Sequence, residues 1–552
     1  MSTIPDKMLA WPLFGTGMEA FGKNDQPCTV PVPEIKDDEL LVKINAIGLC
    51  FSDVKLIRAG ESHPRVISEN LAEDPVIPGH EAVMTVVKVG KKLEKDYKVG
   101  QRFIIQADIY VNGKGFAYGY AINGGMEQYS VIDQRVLNGD EGCYLLPIAD
   151  HLPSAIAALM EPWTCVQAAY MIENRTAPKQ GGKVLVVGAP GKVYTAGAAL
   201  VKAGAASITA VGLDAAAQAA LEKETGKTVR LLKALPEGER FDDIFIADCD
   251  AATAAAAAKM GTRGAVVSFG GTLPAEKLSF DVGSIHYENW FYQGTASRDI
   301  SSAYGRNVRS TMKAGGTCWL PGGAGAMGQM HTQTAVENPN GPKRIVISDM
   351  DQSRIDNVKR LLADKIKERG IEFLALNPTQ MTPEAFDKAL KDFAPQGFDD
   401  IVMLVPVVPV LMNSAQYLAK DGLMNIFAGI PAGKEGELAL APIARDGVRY
   451  IGSSGSKTAH LRHTLALSEA GKLKPVTALA AVGGMKDLKK GLDAVANAKF
   501  PGKTVIFPNC LDMPLVPISK LDEILPGAEK TFDEQGFYSQ KTEKALLDKY
   551  EC

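Results

Sequence analysis

The sequence predicts an α/β protein, a β-rich N-terminal domain followed by two tandem, doubly wound parallel sheets. Three observations carry that reading. Short β-type runs punctuated by glycine and proline crowd residues 1–180. A strand, glycine turn, helix, second strand and acid succeed one another over residues 318–351. A worn copy of that unit starts at residue 183, and residues further on recur at a nearly constant spacing.

A chain of 552 residues is too long for one core, and three or four domains are expected. The net charge of -4 gives no reason to expect nucleic acid or an anionic membrane surface as partner. No apolar run reaches the length of a membrane span, and the first residues lack the basic-then-apolar order of a signal peptide. Eight scattered cysteines without a C-x-x-C fit a reducing cytoplasm better than a disulfide framework.

In the N-terminal part, LLVKI (40–44), AVMTVV (82–87) and RFII (102–105) read as strands of a small barrel-like domain. Three places there carry chemistry. GLCFSD (48–53) puts the Cys50 thiol two residues from the Ser52 hydroxyl. PGHE (78–81) sets the His80 imidazole beside the Glu81 carboxylate. MEPW (160–163) places Glu161 at the start of an apolar stretch. One thiolate, one imidazole and one or two carboxylates make a catalytic zinc set. Each also has an ordinary reading. Cys50 can be a buried small apolar residue, His80 and Glu81 a solvated turn, and Glu161 the acidic first turn of a helix.

The segment GLCFSD, then PGHEAV, GGMEQYSV (124–131) and EPW resembles, in order and spacing, the zinc-dependent medium-chain alcohol and polyol dehydrogenase family. The stretches 142–147 and 158–166 are most similar to its L-sorbose-1-phosphate reductase branch. The resemblance implies a GroES-like catalytic domain over 1–180. It implies zinc held by Cys50, His80 and Glu81, with Glu161 as fourth ligand or as a carboxylate that exchanges with substrate, and Ser52 as proton relay. The family often carries four closely spaced cysteines around a second zinc. No cysteine lies between Arg102 and Tyr129, so one zinc is expected, not two. The corresponding segment, ADIYVNGKGFAYGYAINGG (107–125), is rich in Tyr and Gly instead.

The stretch 318–351 contains Gly323, Gly325 and Gly328 in the pattern G-x-G-x-x-G, with Ala326 and Met327 opening the helix. The first glycine permits a tight turn, the second lets backbone approach a pyrophosphate, and the third lets helix pack on strand. Unpaired N–H groups at the helix start then face the phosphates. Asp349 follows the apolar run RIVIS (344–348), where a carboxylate would accept hydrogen bonds from a ribose diol. That favours NAD, and Arg354 nearby leaves NADP open. Turns after later strands, at Val405, Ala428 and Gly452, are expected to approach the nicotinamide.

The earlier unit, KVLVVGAPG (183–191), has lost the pattern. If Gly188 is the first glycine, Pro190 and Val193 take the other two places. Proline offers no N–H, and a branched side chain at the third place should separate helix from strand or block a cofactor. Phe241-Asp242-Asp243-Ile244 recurs as Phe398-Asp399-Asp400-Ile401, 157 residues later. Gly264 and Phe269 recur as Gly422 and Phe427, and Tyr292 with Gly294 as Tyr450 with Gly452, each 158 later. So constant an offset argues for duplication of a whole Rossmann-like unit. The expected domains are 1–180, 181–315 (degenerate), 316–456 (NAD-binding), and 457–552 returning to the catalytic domain. The tail past Cys510 has no functional reading in the sequence.

The expected activity is zinc- and NAD(P)-dependent interconversion of a secondary alcohol and ketone in a polyol, sugar or sugar phosphate. Lys55, Arg58 and Arg65 are candidates for a substrate phosphate, against a plain role in surface solvation. Two alternatives stand beside it. One is a sugar epimerase that oxidises transiently with tightly bound NAD. The other is a nonenzymatic nucleotide-binding sensor. The resemblance further implies a homo-oligomer, dimer or tetramer.

Overall fold

The computed structural model describes residues 4–304 and 309–551. Two compact units divide the chain, Met1–Gln167 with Gly455–Cys552, and Ala168–Ser454.

In the first unit, β1 (Leu40–Leu49) leads into helix α1 (Phe51–Ala59). Four strands follow, β2 (Glu81–Val89), β3 (Arg102–Ile105), β4 (Tyr129–Ile132) and β5 (Leu145–Pro147), and then helix α2 (Met160–Ala168). β1 pairs antiparallel with β2 and β4, β2 with β3, and β3 with β5. β-branched and aromatic residues are frequent in β2, β3 and β4, as a pleated and buried surface favours. Trp11, Ile44, Ile47, Met84, Phe103, Tyr118 and Tyr144 form the core beneath.

The second unit is built on one twelve-stranded sheet. Its first half runs β6 (Lys183–Val187), β7 (Ser207–Val211), β8 (Val229–Leu232), β9 (Phe241–Ala247), β10 (Gly261–Gly270) and β11 (Phe291–Gly294). Its second half opens with β12 (Thr317–Pro321), α3 (Ala326–Glu337), β13 (Arg344–Ser348) and β14 (Glu372–Leu376). It closes with β15 (Phe398–Met403), β16 (Leu418–Ile426) and β17 (Arg449–Gly452). Across the sheet the order is β8-β7-β6-β9-β10-β11-β17-β16-β15-β12-β13-β14. Each half therefore has the 3-2-1-4-5-6 order of a doubly wound nucleotide-binding fold. Within each half the strands are parallel; β11 and β17 join antiparallel, with Tyr292 opposite Tyr450.

The predicted repeat is physical. β9 and β15 both carry Phe-Asp-Asp-Ile with a register shift after the phenylalanine. Both second aspartates are clamped alike. Asp243 accepts from the Arg175 guanidinium and the Lys179 N–H, and Asp400 from the Arg309 guanidinium and the Lys313 N–H. Asp242 and Asp399 pair with the side chains of Lys179 and Lys313.

After the second unit the chain forms β18 (Leu479–Gly484), β19 (Lys503–Phe507) and β20 (Val516–Pro517). β19 joins the first unit's sheet antiparallel to β1, and β18 pairs with both β19 and β20. The tail beyond Cys510 has a structural task. Buried Glu543 accepts hydrogen bonds from the N–H groups of Ser154 and Ala155 at 2.6 and 2.8 Å, shortly before α2. Among the described residues no helix is long and apolar enough to cross a membrane.

Candidate metal centre and nucleotide turn

Cys50 lies at the junction of β1 and α1, and His80-Glu81 at the start of β2. The register of β1 on β2 sets Gly48 opposite Glu81. Strand pairing thereby gathers Cys50, His80 and Glu81, whose ligand atoms all lie within 4.8 Å of one another. A Cβ on Gly48 would stand 2.1 Å from Glu81 Oε2, so only glycine leaves that carboxylate its place.

Asp53 positions two members of the set. One oxygen accepts from the Cys50 N–H at 2.9 Å, and the other meets His80 Nδ1 at 3.0 Å. With Nδ1 engaged, Nε2 is left for a metal, as in carboxylate–histidine–zinc arrangements. Burial works against the His80 charge, but the adjacent Asp53 carboxylate holds its pKa well above the ordinary value. Behind Glu81, buried Lys503 on β19 donates to Oε1 at 2.5 Å. Burial opposes the Lys503 charge too, and Glu81 keeps its pKa above the ordinary range. Glu81 Oε2 is buried without a hydrogen-bond partner. An orphaned buried carboxylate oxygen beside a thiol and an imidazole suits a zinc ion.

Glu161 lies outside that tight set of three. It accepts from the Cys165 thiol at 3.5 Å, and burial pushes its pKa up to about 7, Glu81 adding to the rise and His80 opposing it. Ser52 is close by, its Oγ 3.6 Å from Cys50 Sγ. The segment 107–125 packs inward. Tyr118 and Tyr120 are buried, and the Tyr120 ring lies 5.8 Å from that of His80.

In the second unit, the turn after β12 keeps its glycines for distinct reasons. A Cβ on Gly328 would meet the Gly322 carbonyl oxygen at 1.9 Å, so α3 touches the turn only because Gly328 has none. A Cβ on Gly325 would have that same oxygen as its single neighbour, at 3.5 Å, and otherwise open space. Gly325 is the N-cap residue of α3, and no side chain caps the first N–H groups of that helix. Asp349 follows β13 directly and is half-buried. Arg354 ion-pairs with Asp351, the N-cap of its helix, at 3.6 Å.

Residues 36–138 match the alcohol dehydrogenase GroES-like domain. Over almost its whole length the chain is similar to mannitol-1-phosphate 5-dehydrogenase of Aliivibrio fischeri, at 26% identity over 96% of each chain. It is 23% identical to L-sorbose 1-phosphate reductase of Klebsiella pneumoniae, covering 96% of this chain and 97% of that protein. The likeness thus runs from an alcohol dehydrogenase domain to full-length relatives named for polyol- and sugar-phosphate oxidoreduction. In fold, the chain is similar to 2R,3R-butanediol dehydrogenase from Bacillus subtilis. The TM-score is 0.52 at 15% identity, with 91% of this chain and all (100%) of that one covered.

The earlier glycine turn is filled by the chain's own side chains. The Tyr194 hydroxyl accepts from the Ala189 N–H and donates to Asp248, while Asp214 accepts from the Gly191 N–H. Glu224 takes the N–H groups of Ala196 and Gly197. The donors that would cradle phosphates are spent. Tyr194 does this rather than Val193, which is 68% exposed. The Tyr194 ring stands where a Cβ on Gly188 would be.

Of the three later turns, Val405 abuts the glycine turn, its Cγ2 2.9 Å from where a Gly322 Cβ would be. Ala428 follows β16, with its N–H on the Met403 carbonyl. Gly452 is buried at the end of β17, against Ile285, His286 and Ile426. Sequence reasoning missed Asp53, Lys503 and Tyr120. Asp53 had a signal, since an acid three residues after a helix N-cap position is capping-box spacing. Lys503 had none beyond a lysine heading an apolar strand.

Proposed function

We propose that this dehydrogenase interconverts a secondary alcohol and a ketone of a polyol, sugar or sugar phosphate, with zinc and NAD, or NADP. The gathering of the Cys50, His80 and Glu81 ligand atoms within 4.8 Å carries this reading. The similarity to two proteins named for polyol- and sugar-phosphate oxidoreduction supports it. Cys50, His80 and Glu81 would hold the metal, with Glu161 as fourth ligand or as a carboxylate that exchanges with substrate. Gly323, Gly325, Ala326, Met327 and Gly328 cradle the pyrophosphate, and Asp349 takes the ribose. The zinc supplies the Lewis acid, and the dinucleotide supplies the hydride acceptor.

The chain's own part is positioning and proton movement. Asp53 holds His80 and Cys50 in line. Lys503 balances one oxygen of Glu81, so the set does not gather uncompensated negative charge. Ser52 Oγ takes the hydroxyl proton as the carbinol carbon gives up its hydride, and passes it to water. In reduction the same steps run in reverse. Domain 316–456 is the working nucleotide unit and 181–315 a structural one. We further place the protein in the cytoplasm as a homo-oligomer.

The test is a panel of polyols and sugar phosphates followed at the NADH absorbance, with metal analysis. Stoichiometric zinc, and turnover that a chelator abolishes, are expected. Absence of zinc, or chelator-resistant turnover, overturns the reading. Cofactor that purifies with the protein and never appears as free NADH would favour the epimerase instead.

A further inference from the structure

Three cations are candidates for a substrate phosphate, and the fold treats them differently. Arg58 lies on the exposed face of α1 beside the Phe51 ring, with its Cζ 6.0 Å from the centroid. Arg65 instead lies over the Tyr120 ring, Cζ 5.5 Å from the centroid, and the same ring packs against His80. Its Nη1 donates to Asp108 at 2.7 Å. Asp108 is in turn near enough to raise the pKa values of Glu161 and Cys165. Through Tyr120, then, the Arg65 guanidinium borders the candidate metal centre, one aromatic ring from the His80 imidazole.

His63 completes the arrangement. Its ring lies 5.2 Å from that of Tyr120, and its Nδ1 accepts from the Arg65 N–H at 3.3 Å. Burial together with Arg65 and Lys55 pulls the His63 pKa down to about 4, so the ring is neutral at working pH. With Nδ1 accepting, the proton is on Nε2, which is a donor. Lys55, close enough to act on His63, has an ammonium 5.8 Å from the Phe51 ring and no carboxylate partner among the described residues.

We propose that Arg65, Lys55 and His63 form a phosphate subsite, and that the substrate is a phosphorylated polyol whose reacting hydroxyl lies at the metal centre. This rests on the dehydrogenase reading above and names its substrate class. A phosphate monoester carries close to two negative charges and three acceptor oxygens. Two cations and a neutral donor match that charge and number; a carboxylate would leave one of the three unused. Arg65 retains donors beyond the one given to Asp108, in the planar fork that suits phosphate. Asp108 is a positioning residue, since it fixes the fork against Tyr120.

The test is binding, which requires no turnover. Zinc-loaded enzyme is titrated calorimetrically with D-sorbitol 6-phosphate, D-sorbitol, gluconate and inorganic phosphate. The phosphorylated polyol should bind at least about tenfold more tightly than sorbitol and than gluconate, as charge-assisted hydrogen bonds allow. Arg65→Ala should cut that ratio at least about tenfold, and Arg65→Lys should retain part of it. Arg65→Ala combined with Asp108→Asn should behave as Arg65→Ala does, which separates lost phosphate contact from a stranded aspartate. Zinc content and melting temperature are read in every variant. Equal binding of sorbitol and its phosphate, an Arg65→Ala ratio matching wild type, or no binding of any phosphate overturns the subsite. Failure to reduce NAD with any polyol would bring down the dehydrogenase reading alone.

Discussion

Tyr292 and Tyr450 stand opposite each other where β11 meets β17 antiparallel, the junction of two parallel half-sheets. Each is the corresponding residue of its own half, so the sheet has a local twofold relation within one chain. Asp243 with Arg175 and Asp400 with Arg309 obey the same relation.

Those clamps should be equivalent in stability. Asp243 and Asp400 are almost wholly buried. Removing one partner of such a pair strands a charge and costs about 3 kcal/mol or more. Arg175→Ala and Arg309→Ala should therefore lower stability by similar amounts in urea unfolding. A loss confined to one variant would show that the halves are not held alike.

The glycine turns should respond unequally. Gly328→Ala forces a Cβ against the Gly322 carbonyl, so NADH affinity and melting temperature should both fall. Gly325→Val adds bulk only to open space. It should weaken NADH binding by about a hundredfold or more while leaving the melting temperature near wild type. Gly191 has a φ of 71°, so Gly191→Ala should cost about 1 kcal/mol of stability yet leave the NADH Kd unchanged. Fluorescence titration and thermal melts check all three.

Asp53 and Lys503 support the proposed metal set in opposite senses. Asp53→Asn keeps the shape but loses the charge behind His80, and zinc affinity should fall by about 10- to 100-fold in chelator competition. Lys503→Met leaves Glu81 buried without its cation. The metal-free variant should lose about 3 kcal/mol, and zinc should raise its melting temperature more than it raises that of wild type.

Glu127 sets a pH dependence. Burial raises its pKa from the ordinary 4.5 to about 8. The native state therefore keeps a proton that the unfolded chain releases, and stability is lost as pH rises from about 4.5 to 8. At about 1.4 kcal/mol per unit the ceiling is a few kcal/mol. Urea unfolding should show wild type losing more stability between pH 5 and pH 8 than Glu127→Gln. Parallel losses would refute the assignment.

Much of the fold was legible because it is written in local pattern. The glycines of 318–351, their strands and the acid after β13 follow from spacing alone, and so does the recurrence of Phe-Asp-Asp-Ile. The clamp on those aspartates escaped notice. Arg175 and Arg309 are 134 residues apart while the strands they grip are 157 apart, so no single offset aligns them. Cys50, His80 and Glu81 were legible as a set, but their support was not. Glu81 and Lys503 are 422 residues apart and meet only because β19 returns to β1. In the first half the glycine pattern told that something was lost. It did not tell that Tyr194 had moved in, because the obstruction comes from the residue next to the motif position.

The antiparallel seam at Tyr292 and Tyr450 has a lasting effect on how this molecule can vary. Two identical chains meeting at such an edge would have to change in step, every substitution appearing twice. Fused in one polypeptide, each partner mutates alone. That independence lets Tyr194 and Pro190 settle on one side while Gly325 and Gly328 are kept on the other. It also uses up the inner border of the sheet, so any association with a further molecule must begin from a different face.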